Sequence, residues 1–157
     1  MSAESSTQHA EYKLGQVTEG QIEPWLALRR QLWPDQESEH RREMDEILAS
    51  PEAVAFLLFD SKGAPLGFIE GALYLDGQEK YGYVEGWFVL PAYRRQGLGG
   101  RLLGALEQWI LHHSISLALS DTIPEEYPLS PGAHARHGYK DLMHIQVFIK
   151  QLEDGDE

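Results

Sequence analysis

The chain has 157 residues, 25 acidic against 13 basic side chains and a formal charge of −12, the reverse of the basic footprint that a nucleic-acid groove requires. It contains no cysteine, which removes disulfides, zinc–thiolate centres and cysteine nucleophiles. Its composition, 42% hydrophobic and 10% aromatic, is that of a globular domain; with no apolar run long enough for a membrane helix and a polar opening, MSAESSTQHAEY, a soluble cytoplasmic protein is expected.

One domain is expected over residues 11–150, with flexible tails at 1–10 and 151–157. EYKLGQV (11–17) alternates enough for a short strand. A helix follows, with Thr18 as N-cap, Gln21 three residues on and Pro24 tolerated in the first turn. Ile22, Trp25, Leu26, Leu28 and Leu32 mark its apolar face, and Pro34 ends it. DQESEHRREMDEILAS (35–50) reads as a second, largely solvated helix whose apolar residues are Met44, Ile47 and Leu48. AVAFLLF (53–59) and LGFIEGALYL (66–75) form strands around the turn SKGAP, and YVEGWFVL (83–90) is a third strand bounded by Pro91. From Gln96 to about His113 the leucines return to helical spacing. SISLALS (114–120) is strand-like, the prolines of 124–137 allow only a short or broken helix, and HIQVFIK (144–150) alternates as a last strand. The mixed order predicts an α+β or α/β domain around one mixed sheet.

The stretch RRQGLGGRLLG (94–104) joins a strand to a helix-prone run. Helix N-termini expose unpaired N–H groups and partial positive charge, and glycines let a phosphate approach them closely. No lysine lies between Lys80 and Lys140 to complete a Walker loop, and Leu102 stands where a dinucleotide fingerprint requires glycine. What remains is Arg94-x-x-Gly97-x-Gly99 directly after a strand.

The run VEGWFVLPAYRRQGLGGRLLGALEQW resembles the coenzyme A segment of the GNAT superfamily of N-acetyltransferases. The resemblance implies a mostly antiparallel, V-splayed sheet flanked by helices, with acetyl-CoA as co-substrate. It implies that Arg94, Arg95, Gln96, Gly97, Leu98, Gly99 and Gly100 hold the pyrophosphate, and that Phe88 and Val89 end the strand along which the pantetheine arm lies. WLALRRQLWPD, YLDGQE, VEGWFVLPAYRR and SDT further resemble aminoglycoside 6′-N-acetyltransferases. That resemblance implies an acceptor site lined by Trp25, Tyr74, Glu79, Glu85 and Asp121, and a possible homodimer. Many members carry a tyrosine four residues before the Gly-aromatic pair; counting back from Gly138 gives His134 here, a candidate acid for the leaving thiolate.

Acidic residues suit a cationic acceptor, and an acyl transfer to an amine needs a base, for which Glu85 and Asp121 are the candidates. Direct attack follows from the lack of a cysteine nucleophile. His134 and His137 have no third partner at metal spacing, so no metal is expected. A polyamine, a small metabolite and a protein N-terminus remain open as acceptors, as does a coenzyme A-binding module without turnover.

Overall fold

Five runs of β-forming residues assemble into one sheet, in which chain order is also spatial order, β1 to β5. The computed structural model describes residues 11–75 and 78–152; the expected tails 1–10 and 153–157, and Asp76 and Gly77 of YLDGQE, lie outside the described residues. Two compact units divide the chain, one ending at Asp121 and the other beginning at Thr122.

The first unit runs β1 (Lys13–Gln16), α1 (Ile22–Leu32), α2 (Glu37–Ala49), β2 (Ala53–Phe59), β3 (Pro65–Tyr74), β4 (Tyr81–Val89), α3 (Leu98–His112) and β5 (Ala118–Ser120). Strands β1 to β4 pair antiparallel, whereas β5 pairs parallel to β4. This is the mixed, mostly antiparallel sheet expected. A 3₁₀ turn over Glu19–Gln21 precedes α1, and Gln21 Oε1 accepts from the Thr18 amide at 3.1 Å, as the capping pattern predicts.

Strand β3 is buried without a break from Leu66 to Gly71, because helices cover both faces of the sheet. On one face Trp25, Leu26 and Leu28 of α1 and Met44 of α2 pack with Ala55, Leu57, Phe68 and Phe88. On the other, Leu98, Leu102, Leu103, Leu106 and Ile110 give α3 a continuous apolar stripe. Each such leucine contributes about 1.5–3 kcal/mol by leaving water, which fixes where the N-terminus of α3 sits.

The β4–β5 pairing covers only Gly82–Val84 against Ala118–Ser120. Beyond Val84 no residue of β5 follows β4, so the sheet opens there as the expected splay. SISLALS thus supplies three strand residues rather than seven, since its first half rounds the end of α3.

In the second unit a short helix, α4 (Ser130–Arg136), follows the proline-rich stretch, with Pro131 in its first turn. The expected last strand does not form among the described residues. Ile145, Val147, Phe148 and Ile149 are 76%, 80%, 84% and 96% exposed. Alternation confers the capacity to pair, but a strand needs a partner edge.

Candidate functional site

Glu85 is the feature from which the site is built. Glu70 of β3 pairs with Gly86 and Gly71 pairs with Val84, so Glu85 is the extra residue of a β-bulge. N-terminal to the bulge, Tyr81, Tyr83 and Glu85 share the face covered by α1 and α2; C-terminal to it, that face passes to Gly86 and Phe88. Trp87 turns to the α3 side, where its indole N–H donates to the Gly99 carbonyl at 2.9 Å. Gly86 is required by close approach, because a Cβ there would lie 2.5 Å from the Trp33 ring.

The tyrosines of this row form a cluster with Tyr74, which stacks on Tyr81 at 5.3 Å and meets Tyr83 edge-on at 5.7 Å. The Tyr74 hydroxyl donates to Glu85 Oε1 at 2.6 Å, and the Tyr83 hydroxyl donates to Asp121 Oδ2. Two sequence-predicted carboxylates are therefore brought to one place, each held by a phenol. Although Glu85 is exposed as a residue, desolvation of its carboxyl raises its pKa above the ordinary glutamate range. The bond from Tyr74 opposes that rise, and the negative charges of Asp121 and Glu43 add to it. Glu85 in turn pushes the Tyr74 phenol up to about 12, so Tyr74 remains a donor at neutral pH. Burial and the bond to Asp121 raise Tyr83 as well.

A cavity of about 440 Å³ opens beside this row, with Trp33, Gln36, Glu43, Glu46, Glu70 and Glu85 in its walls. Behind it lies Arg29, fully buried, with Nη1 on Glu70 Oε2 at 2.5 Å and Nη2 on Glu43 Oε1. Trp25 Nε1 also donates to Glu70 Oε2, at 2.8 Å. Arg29 Nε donates to His40 Nδ1 at 3.1 Å, which places the imidazole proton on Nε2, facing the Trp33 carbonyl at 3.1 Å. The Arg29 guanidinium also lies 4.8 Å over the Trp33 ring. Burial raises the Glu70 pKa, against the stabilising bonds from Arg29 and Trp25.

At the far end of β4 the chain turns through a 3₁₀ turn, Pro91–Tyr93, into the mouth of α3. Arg95 and Gly97 both take left-handed backbone, with φ of 66° and 79°, and Gly97 is the N-cap. Gly97 has no side chain to cap the helix, so the amides of Leu98, Gly99 and Gly100 lie in its first turn without a side-chain cap. A Cβ at Gly97 would meet nothing within 4 Å, so open space lies in front of this turn. Arg94 Nε donates to the Val89 carbonyl at 2.8 Å, its guanidinium lies 5.5 Å over Phe88, and Gln96 Oε1 accepts from the Tyr12 hydroxyl at 3.1 Å. Uncapped amides, a helix dipole and two arginines fit an anionic diphosphate.

The remaining expectations divide. Trp25 is corrected: expected as an acceptor wall, it is completely buried and has no ring face to offer a ligand, because helical periodicity turns it into the core. Glu79 is exposed in the β3–β4 connection and does not line the cavity. In the second unit, His134 Nδ1 donates to the Ser130 carbonyl at 2.8 Å, and the ring meets Tyr139 edge-on at 5.7 Å. Sequence reasoning missed Tyr81, Tyr83, Trp33, Glu43 and the Arg29–Glu70 pair. Two signals were available: Glu70 is the one charge in LGFIEGALYL, and Arg29 lies on the apolar face one turn after Trp25.

Residues 22–139 match the acetyltransferase (GNAT) family. The chain is 36% identical over 137 residues to an aminoglycoside N(6′)-acetyltransferase type 1 of Serratia marcescens, covering 83% of this chain and 93% of that protein. It is 30% identical over 142 residues to an enzyme of the same name from Acinetobacter haemolyticus, covering 87% and 97%. Among solved structures it is similar to AAC(6′)-Iy in complex with the bisubstrate analogue CoA-S-monomethyl-acetylneamine, with a TM-score of 0.80, 26% identity and coverage of 90% and 99%. A match to most of the chain, and a mostly antiparallel sheet that opens beside a glycine-rich helix mouth, lead to one assignment: the chain belongs to the acetyltransferase (GNAT) family.

Proposed function

We propose that this protein is an acetyl-CoA-dependent aminoglycoside 6′-N-acetyltransferase that confers antibiotic resistance by direct transfer. The observation that carries the reading is the placement of two opposite chemistries on one strand. Glu85 and its tyrosines stand at the bulge of β4, and the amide-rich mouth of α3 follows its end. The similar proteins are named for this activity, and a groove walled by carboxylates suits an acceptor with several ammonium groups.

Acetyl-CoA, when bound, supplies the acetyl group as a reactive thioester. Arg94, Arg95 and the amides from Gln96 to Gly100 hold its diphosphate, and the edge of β4 that β5 leaves uncovered beyond Val84, at Phe88 and Val89, receives its extended arm beside the Arg94 side chain bound to the Val89 carbonyl. From Glu85 to Val89 the strand spans roughly 13 Å, which separates charge recognition at one end from diphosphate binding at the other. Glu85 accepts the proton that the attacking amine must lose, and its raised pKa brings it nearer to that task at neutral pH. Asp121, fixed by Tyr83, holds the ammonium form of the acceptor before that transfer. A backbone N–H at Phe88 or Val89 donates to the carbonyl oxygen that gains negative charge. His134 returns a proton to the leaving sulfur, a role that rests on its spacing before Gly138–Tyr139. Tyr74 and Glu79 complete the acceptor site from the end of β3 and the connection that follows.

The test is a thiol-release assay with kanamycin and tobramycin, and NMR assignment of the acetylated nitrogen. Acetylation at the 6′-amine is expected; binding of acetyl-CoA without turnover of any aminoglycoside overturns the reading. Turnover of spermidine, a small metabolite or a peptide N-terminus instead identifies another acceptor, and no turnover of any amine identifies a regulatory coenzyme-binding module.

We further propose that residues 11–150 act as one domain, that the protein works in the cytoplasm, and that it forms a homodimer without binding nucleic acid. Among the described residues no helix is long and apolar enough to cross a membrane. Support for the dimer is the exposed apolar series Ile145, Val147, Phe148 and Ile149, which a second copy would cover. Sedimentation at micromolar concentration is expected to give a dimer, and a monomer overturns it.

A further inference from the structure

The Arg29 cluster holds more negative charge than it neutralises. One guanidinium serves two carboxylates, Glu70, which is buried, and Glu43, whose side chain is 37% exposed. All three Arg29 nitrogens are engaged, by Glu70, Glu43 and His40, and its single positive charge is shared between two acids. His40 receives its bond from Arg29 on Nδ1 and is therefore neutral. The cluster's second acid, Glu43, emerges in the wall of the same cavity that Glu85 lines. Enclosing that charge with a bulky ligand is costly unless the ligand brings a cation.

Geometry also makes Glu43 a fixed point rather than a loose surface acid. Its Oε1 is tied to an arginine that is buried, bound to the sheet through Glu70 and stacked on Trp33. Glu46, the other acid that α2 sends into the wall, is by contrast paired outward with Arg42 at 3.1 Å. Glu43 also acts on Glu85 as a like charge.

We propose that Glu43, positioned by Arg29 over Glu70, recognises a second ammonium group of the acceptor, away from the reacting nitrogen, and so selects acceptors with two or more amines over monoamines. The proposal rests on the acetyltransferase reading, and it concerns how the acceptor is chosen rather than how acetyl moves. Arg29 is a positioning residue, and Glu43 a specificity-determining one.

The experiment compares Glu43→Gln, which keeps an oxygen for Arg29 but removes the charge, with wild type on three acceptors: tobramycin, spermidine and methyl 6-amino-6-deoxyglucoside, which has one amine. For the multi-amine acceptors KM is expected to rise about ten- to a hundredfold, the size of a lost charge-assisted bond, with kcat within about twofold. For the monoamine KM is expected to change by less than about twofold on the same grounds. Glu43→Asp restores most of the discrimination, and Asp45→Asn, which removes an equal charge from the exposed side of α2, leaves it intact. Calorimetric titration of the same acceptors into coenzyme-bound protein gives the comparison without turnover, and unchanged acetyl-CoA affinity certifies that the variant is folded. Equal KM changes for all three acceptors, or a fall in kcat alone, overturn the proposal. If wild type takes spermidine but no aminoglycoside, the antibiotic reading fails while the role of Glu43 stands or falls on spermidine. If no multi-amine compound binds, both fail.

Discussion

The two ends of β4 are built from different materials. At the bulge the site is made of side chains: Glu85 and Glu43 in the cavity wall, with Tyr74 bonded to Glu85 and Tyr83 to Asp121 beside it. At the mouth of α3 the site is mostly backbone, opened by glycines and framed by two arginines. A backbone site is specified by what is missing, so it constrains a short contiguous string. A side-chain site gathers residues from α2, β3, β4 and the end of β5, and each of them is replaceable on its own. On the proposed reading, the coenzyme end therefore tolerates little change in its string, while the acceptor end adjusts residue by residue.

The sharpest break between the ends is expected from Glu85→Gln. Removal of Glu85 as the proposed general base is expected to lower kcat by on the order of 10²–10⁴-fold, with acetyl-CoA affinity unchanged by calorimetry. Asp121→Asn follows the same pattern, and an equal loss of coenzyme affinity would assign Asp121 a structural role. The reciprocal change, Arg94→Ala with Arg95→Ala, weakens acetyl-CoA binding roughly ten- to a hundredfold while acceptor KM at saturating coenzyme stays constant. Constant coenzyme affinity in that double variant discards the diphosphate role.

Glycine replacements sharpen the comparison at lower amplitude. Gly86→Ala drives a Cβ into Trp33 and is expected to cost about 1–3 kcal/mol in chemical denaturation and to raise acceptor KM. Gly97→Ala meets no atom but forces a left-handed alanine, costing about 1–2 kcal/mol and affecting only coenzyme binding. The smallest effect is in the pH profile. Glu85 accepts a proton only when ionised, so kcat/KM rises with pH through its raised pKa. Tyr74→Phe removes a bond that favours the carboxylate and moves this limb to higher pH; Asp121→Asn removes a like charge and moves the limb of its residual activity lower. Shifts of the same sign would separate Glu85 from that limb.

Legibility follows the same division. AVAFLLF is read to the residue as β2, and the leucines of 98–110 give α3 its buried face, because local periodicity and burial agree there. RRQGLGG is read as an anion site since its chemistry lies in consecutive residues. The bulge at Glu85 is not legible: it depends on the register between β3 and β4, and nothing in YVEGWFVL marks it. Arg29 and Glu70 are 41 residues apart, and only folding reveals that the lone acid of one strand meets the buried one of α1's two arginines. Trp25 is misassigned for a related reason, as periodicity places it on the apolar face but resemblance placed it in the groove. HIQVFIK has the pattern of a strand and no edge to complete it among the described residues.

One extra residue in β4 has a consequence for how such a site diversifies. The bulge is a change of phase in the side-chain alternation, so the strand reads in one frame before Glu85 and in the other after it. Deleting a single residue between Tyr83 and Gly86 would return both halves to one frame, rotating Tyr81 and Tyr83 toward α3 or Phe88 out of the core. Replacing a side chain within the first frame leaves the second untouched. If both substrates bind along β4 as proposed, acceptor preference can thus drift by substitution, whereas a change of length on this strand costs both substrates at once.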